Sequence, residues 1–143
     1  MQNTITLDEA KQRAGGYIQQ VRAVLPGKPR LVPVAGGITQ LECLDPGDNG
    51  PQGRISANGA FFLRDLPPER NPEVYSVFRS YLAQQGFTVR TDQSDFLVME
   101  NPKDSFRLVL QESGDGSKSL SLGVSSPCVW PNGTPAPVTQ PPP

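Results

Sequence analysis

Hydrophobic and polar residues alternate strictly near the end of the chain, in the segment from Leu120 to Ser125. Leu120, Leu122 and Val124 fall on one side of this pattern, whereas serine or glycine falls on the other. A period of two is typical of a β-strand with one buried face and one solvent-exposed face. Similar patterns predict five earlier strands, at residues 31–44, 54–66, 87–90, 96–100 and 106–111.

Two other segments show the apolar spacing of helices. Thr6-Leu7-Asp8-Glu9 has the form of a capping box, and apolar residues then recur at helical spacing to about Leu25, before Pro26-Gly27. Asn71-Pro72 is a strong helix start, with Asn71 as the cap and proline at the first helical position. We expect this second helix to end near Gly86.

The element order α-β-β-α-β-β-β-β predicts an α+β fold. Short turns between the last four strands require antiparallel pairing, so we expect an antiparallel sheet of about five to six strands with two helices packed on one face. The pairing around Asn58-Gly59 has two interpretations, a tight hairpin turn or pairing across the preceding loop at residues 45–52. We expect one domain at residues 1–130 and a proline-rich flexible tail at residues 131–143.

The charges are balanced and interspersed. With 13 basic and 14 acidic residues the formal charge is −1, so the chain lacks the basic footprint of a nucleic-acid-binding protein. No apolar run is as long as a bilayer span. The chain contains no histidine, which removes the commonest general base and the commonest metal ligand. We therefore expect no catalytic residues, no metal and no cofactor.

Two segments resemble ligand-binding loops but depart from the residue spacing that calcium or phosphate binding requires. The segment starting at Asp45 superficially suggests a calcium loop, but glycine stands at its third position and Ser56 at its twelfth. Residues 114–119, GDGSKS, suggest a phosphate-binding loop, but the spacing is wrong and a strand follows. Turns are the better interpretation of both segments.

Carboxylates are the remaining candidates for catalysis. A hydrolase that uses two carboxylates would need two of the following to converge in a cleft: Asp92, Asp95, Glu100 and Asp104. Solvated charges on turns are the commoner explanation for such residues.

The only two cysteines, Cys43 and Cys128, both lie at predicted strand ends. We expect a disulfide between them, which would close a long loop and indicate an oxidising compartment. The alternative is two buried thiols in an intracellular protein.

Three aromatic residues are candidates for a binding surface. Phe61 and Phe62 are adjacent, so a regular strand would direct them to opposite faces of the sheet. One of them, or Trp130 beside Cys128, could therefore be exposed and contact a partner.

The segment from Val74 to Pro131 carries a resemblance. An amphipathic helix, then Gln-Gly-Phe-Thr-Val, then hairpins and the ending Ser-Ser-Pro-Cys-Val-Trp-Pro resemble small exported proteins and lipoproteins of actinobacteria. The resemblance implies an envelope location and a disulfide, without an activity. Because Met1-Gln2-Asn3-Thr4 lacks the character of a signal peptide, this location assumes an export signal or lipid anchor that the given sequence does not contain.

Together these features favour a non-enzymatic extracytoplasmic module that binds a protein or small-molecule ligand. One alternative is an intracellular interaction or immunity-type α+β domain with free thiols. The other is the small carboxylate-dependent hydrolase.

Overall fold

The computed structural model describes residues 3–43, 53–93 and 95–134. The loop predicted at residues 45–52, including its calcium-like segment, lies outside the described residues. The same is true of most of the predicted tail, from residue 135 onward.

The described chain contains two α-helices and one sheet of six strands, and all strand pairs are antiparallel. The sheet has the order β1-β2-β6-β5-β4-β3. A short 3₁₀ turn at Pro68–Arg70 precedes the second helix. The predicted α+β class and element order are confirmed. In chain order the elements are α1 Leu7–Val24, β1 Arg30–Glu42, β2 Ile55–Arg64, α2 Asn71–Gln84, β3 Thr88–Gln93, β4 Phe96–Glu100, β5 Arg107–Glu112 and β6 Leu120–Ser125.

Helix α1 begins with the predicted capping box. The Glu9 N–H donates to Thr6 Oγ1 at 3.1 Å, and the Thr6 N–H donates to the Glu9 carboxylate at 3.3 Å. These bonds satisfy two of the N–H groups that a helix start leaves without a partner.

Helix α2 begins differently from the prediction, because Asn71 is not its cap. Arg70 occupies the cap position, and Asn71 is the first residue of the helix, with only 7% of its surface exposed. Its side-chain amide points inward and donates to the Lys118 carbonyl at 2.8 Å and to Glu112 Oε1 at 3.3 Å. The Asn71 amide therefore bonds to acceptors on β5 and before β6 instead of capping the helix.

Both helices pack on the same face of the sheet and share one hydrophobic core with it. The buried apolar side chains of α1 and α2 are Ala10, Ala14, Ile18, Val21, Val74, Phe78 and Leu82. The strand residues that face them include Leu97, Met99, Leu108, Leu110, Leu120, Leu122 and Val124. Burial of each large apolar side chain contributes roughly 1.5–3 kcal/mol, so this face is the main source of stability.

Strand β2 runs without interruption through Asn58 and Gly59, so these residues do not form a hairpin turn. Strand β2 instead pairs with β1 across the intervening loop, with Ile38 opposite Gly59 and Thr39 opposite Asn58. The second of the two predicted pairings is therefore correct.

The disulfide between Cys43 and Cys128 is present, with the two Cα atoms 6.1 Å apart. The Cys43 N–H donates to the Arg54 carbonyl at 3.0 Å, and Val129 forms a bridge with Ile55. The disulfide thus joins the end of β1 to the chain after β6, beside the first residues of β2.

The chain continues in contact with the domain beyond Trp130, where the sequence predicts the start of a tail. The Leu7 N–H donates to the Pro131 carbonyl at 3.1 Å, and the Thr4 N–H donates to the Gly133 carbonyl at 2.9 Å. Gly133 is buried. Backbone bonding to the segment before α1 therefore places residues 131–133 in the packed domain.

Replacement of both cysteines, as Cys43→Ser with Cys128→Ser, should lower the free energy of unfolding by a few kcal/mol. The residues are 85 positions apart, and closing a loop of that length is worth about 4–5 kcal/mol in the chain-entropy model, less any strain. Urea denaturation of the double variant and the parent protein measures the difference. Equal stability of the parent with and without reductant would contradict the prediction.

Candidate functional site

The face of the sheet opposite the helices carries no helix among the described residues, and we call it the open face. Cross-strand pairing arranges its side chains in three rows. The central row contains Thr91, Val98, Val109, Gly123 and Ala60. One outer row contains Gln93, Phe96, Gln111, Ser121, Phe62 and Val32. The other outer row contains Thr88, Glu100, Arg107, Ser125, Asn58 and Thr39.

A depression, which we call the open-face groove, crosses the middle of this face. Ala60 and Gly123 are neighbours in the central row, and their small size leaves space above the sheet. Larger residues of β4 and β5, Phe96 and Val109, border the groove on one side, and the β1 segment 34–37 borders it on the other. The groove has a volume of about 480 Å³. Its lining comprises Val34, Ala35, Gly37, Thr39, Asn58, Gly59, Ala60, Phe96, Val109, Gln111, Ser121, Gly123, Val124 and Ser125.

The wall of the groove on the β1 side is formed by a bulge of four residues in β1. Pro33 lies opposite Phe61 and Ile38 lies opposite Gly59, so residues 34–37 all stand opposite Ala60. A bulge of this kind bends its strand and redirects the side chains next to it.

Glycines make this bulge possible. Gly36 and Gly37 have φ angles of 90° and 80°, in the left-handed region that favours glycine. The bulged segment also lies close to the backbone of β2. A Cβ atom at Gly59 would lie 2.8 Å from Ile38 Cγ1 and 3.1 Å from the Gly37 carbonyl oxygen. Gly59 therefore allows β1 to approach β2 and form the wall.

The polar groups of the groove are hydroxyls and amides. The Asn58 side chain donates to Ser56 Oγ at 2.6 Å. Within the described part of the chain, several other polar side chains that line the groove form no side-chain hydrogen bond, which leaves their donors and acceptors available to a ligand. These are Thr39, Gln111, Ser121 and Ser125.

The three predicted aromatic residues are placed differently from one another. Phe61 packs against the core on the helix side, and Phe62 lies on the open face, as their adjacency predicts. The Arg64 guanidinium carbon is 4.5 Å from the centre of the Phe62 ring, which partly covers that ring. Trp130 is only 3% exposed, so its side chain cannot form part of an exposed surface. The backbone N–H of Trp130 donates to Thr4 Oγ1, in the segment before α1, at 2.8 Å.

The four candidate carboxylates do not form one cluster. Asp92 lies in β3 and Asp95 directly before β4, whereas Glu100 and Asp104 lie at and beyond the other end of β4. The chain takes five steps of about 3.3 Å from Asp95 to Glu100, so these two residues lie roughly 16 Å apart.

Three of these carboxylates also have arginine partners. Asp92 pairs with Arg79, and Asp104 lies 3.7 Å from Arg13. The Arg107 Nε atom donates to Glu100 at 2.7 Å, and this bond lowers the pKa of Glu100. These three carboxylates are therefore arranged as ion pairs with arginine.

Two half-buried tyrosines, Tyr17 and Tyr75, have raised pKa values. Tyr17 donates a hydrogen bond to Asp104 and accepts one from Asn101 Nδ2 at 3.2 Å. Burial, with the bond to Asp104, raises its pKa to about 12. This tyrosine joins α1 to the turn between β4 and β5.

Tyr75 on α2 differs because its buried hydroxyl has no hydrogen-bond partner among the described residues. Burial raises its pKa to about 12, and the negative charges of Glu112 and Asp95 add to the effect. A buried hydroxyl without a partner is destabilising. The sequence contains no signal that distinguishes Tyr75 from other apolar positions of the helix.

Among residues 3–43, 53–93 and 95–134, no group of three or more metal-ligating side chains is arranged to hold a metal ion. In the same residues, no helix combines the length and apolar character needed to cross a bilayer.

No family model, no curated protein and no solved structure matches this chain.

Phenylalanine substitutions at Tyr17 and Tyr75 should distinguish the hydroxyl that is hydrogen-bonded from the one that has no partner. Tyr17→Phe should lower the free energy of unfolding by about 1–2 kcal/mol, because a hydrogen bond to a charged group is lost. Tyr75→Phe should leave it unchanged or raise it slightly. Urea denaturation at pH 7 measures both. An equal loss in the two variants would show that Tyr75 has a partner in the folded protein.

Stability should fall between pH 10 and 12. The folded-state pKa of Tyr17 and Tyr75 is about 12, above the value of about 10 for an unfolded chain. The stabilising contribution is therefore complete below pH 10 and is lost as the pH rises through 12. The variant with Tyr17→Phe and Tyr75→Phe should show a shallower decline in urea titrations across this range. Identical slopes for variant and parent would contradict this assignment.

Proposed function

We propose that this chain is a non-enzymatic extracytoplasmic protein of the cell envelope that binds an uncharged, amphipathic small molecule in the open-face groove. The observation that carries the proposal is the character of the groove lining. None of its fourteen residues is ionisable, although the chain has 13 basic and 14 acidic residues.

An uncharged lining selects against charged ligands. A charged group placed in the groove would lose part of its hydration without gaining an opposite charge. An apolar surface with a few hydroxyl and amide groups is typical of sites for small organic ligands, and about 480 Å³ lies within their usual size range. The apolar part would contact Phe96, Val109 and Ala60, and the polar part would bond to the free amide and hydroxyl groups.

The groove is suited to binding rather than to acid–base chemistry. Its polar groups are neutral at pH 7, and none of them exchanges a proton readily at that pH. The sheet provides a rigid floor for the groove, since β6 is hydrogen-bonded to β2 and β5 along its length.

The location rests on the disulfide and on the resemblance of residues 74–131. The disulfide between Cys43 and Cys128 is compatible with an extracytoplasmic site, because such bonds persist in oxidising compartments. We infer that the protein acts outside the membrane. An intracellular interaction domain is the alternative, and reduced cysteines in protein isolated from its native cell would favour it.

The neutral fluorescent probe N-phenyl-1-naphthylamine tests the groove directly. The parent protein should give a saturable increase in probe fluorescence. Gly123→Val should weaken binding at least tenfold because it fills the floor. The variant should still fold, since a Cβ at Gly123 meets only ordinary contacts, 3.5 Å from the Gly59 oxygen and 3.8 Å from Val109 Cβ, and valine favours strands.

Gly114→Val is the matched control. Gly114 lies in the turn before β6, where a Cβ would meet no atom within 4 Å, so this variant should bind the probe like the parent. Circular dichroism verifies that both variants are folded. No saturable binding to the parent, or equal binding to the Gly123→Val variant, would refute the proposal.

A further inference from the structure

The hydrogen-bonding side chains of the open-face groove lie along two opposite sides of it. Five of its fourteen lining residues carry a hydroxyl or an amide. The cross-strand register places all five in the outer rows, with Gln111 and Ser121 in one row and Thr39, Asn58 and Ser125 in the other. Because four residues along a strand span about 13 Å, the two rows lie roughly that far apart.

The floor of the groove between these two rows is apolar. It consists of the central-row residues Val109, Gly123 and Ala60, which lie side by side on β5, β6 and β2. With neighbouring strands about 4.8 Å apart, the floor measures roughly 10 Å from Val109 to Ala60. Phe96, opposite Gln111 on β4, adds an aromatic side chain at one corner. The groove therefore has an apolar centre with neutral polar groups on two sides.

The polar groups on both sides retain hydrogen-bonding capacity for a ligand. Four of these side chains form no hydrogen bond in the described part of the chain, and each of them can both donate and accept. They are Thr39, Gln111, Ser121 and Ser125. Asn58 uses its Nδ2 group for bonds within β2, which leaves its amide oxygen as an acceptor. Alcohol groups, which also donate and accept, match this set.

The positions of these groups distinguish between classes of uncharged amphipathic ligand. A fatty alcohol has its polar group at one end, so it would cover the polar groups on the far side of the groove and leave them without partners. Covered polar groups without partners weaken binding. A sugar ring has hydroxyls around its edge and C–H groups on its faces. It can therefore bond to both outer rows at once while one face rests on the apolar centre.

We propose that the open-face groove binds the ring of a neutral sugar, a pyranose whose hydroxyls lie around the ring edge. The hydroxyls bond to Ser121 and Gln111 on one side and to Ser125, Asn58 and Thr39 on the other. Sugars that carry a carboxylate or an ammonium group are disfavoured, because no lining residue offers an opposite charge. The inference rests on the proposed function, since it names the class of ligand for the same groove.

Methyl β-D-glucopyranoside is the probe, titrated at pH 7 into the full chain labelled with ¹⁵N. The signals of the Gly123 backbone amide and the Gln111 side-chain amide should shift saturably, and the Gln111→Ala spectrum identifies the second signal. The side-chain signal of Gln40, which lies outside the groove and opposite the buried Ala57, should not shift. Cyclohexanol has a six-membered ring with a single hydroxyl, and its affinity should be at least tenfold lower.

A double variant with Ser121→Ala and Ser125→Ala removes one hydroxyl from each outer row. It should weaken binding of the glucoside at least tenfold and leave the affinity for N-phenyl-1-naphthylamine within twofold of the parent, because the dye contacts the apolar centre. The matched control is Ser76→Ala with Ser80→Ala, two exposed positions of α2 on the other side of the sheet. This control should bind the glucoside like the parent.

Four results would overturn the proposal. These are the absence of a saturable shift with the glucoside, equal affinity for cyclohexanol, unchanged glucoside affinity in the groove variant, and equal losses of glucoside and dye binding in that variant. If the parent protein binds N-phenyl-1-naphthylamine in any of these cases, only the assignment of a sugar fails. If the parent binds neither the glucoside nor the dye, the proposed function fails with it.

Discussion

The burial of only one face of the sheet is the constraint on which the rest of the structure depends. Strand β6 places Leu120, Leu122 and Val124 on that face, and both helices cover it because their apolar stripes have no other surface to bury. The residues between these three, on the opposite face, are then free from the demands of core packing. Small and polar residues can occupy that face without loss of stability, and a groove can form there.

The disulfide and the bulge of β1 act together on the wall of the groove. Strand β1 is an edge strand, and the bulge interrupts its hydrogen bonds to β2 between Pro33 and Ile38. An interrupted edge strand is easily displaced. Pairing resumes from Ile38 to Glu42, and Cys43 then joins the strand covalently to the chain after β6. The wall is therefore held on both sides of the bulge, which lowers the entropy that a ligand would have to remove on binding.

The sequence predicts the elements well because their signals are local. The capping box at Thr6, the alternation on β6 and the short turns between the last strands all depend on neighbours a few residues away. The sites depend on contacts between distant residues. Asn71 has the sequence pattern of a cap, but its bonding partners lie 41 and 47 residues further along the chain. The groove floor likewise requires Gly123 to pair beside Ala60, and that register follows from the whole sheet rather than from either segment.

Strand β5 borders one cavity on each side of the sheet, because consecutive residues point to opposite faces. Gln111 lines the open-face groove, and Glu112 lines a second cavity, of about 520 Å³, where α2 begins. Coupling between two sites requires that both ligands bias the same movement. The neighbours of β5 oppose such a movement, since β4 and β6 pair with it through Gln111, and β6 also pairs with Glu112. A displacement of β5 would break bonds on both sides, so the sheet resists a movement that would couple the two cavities.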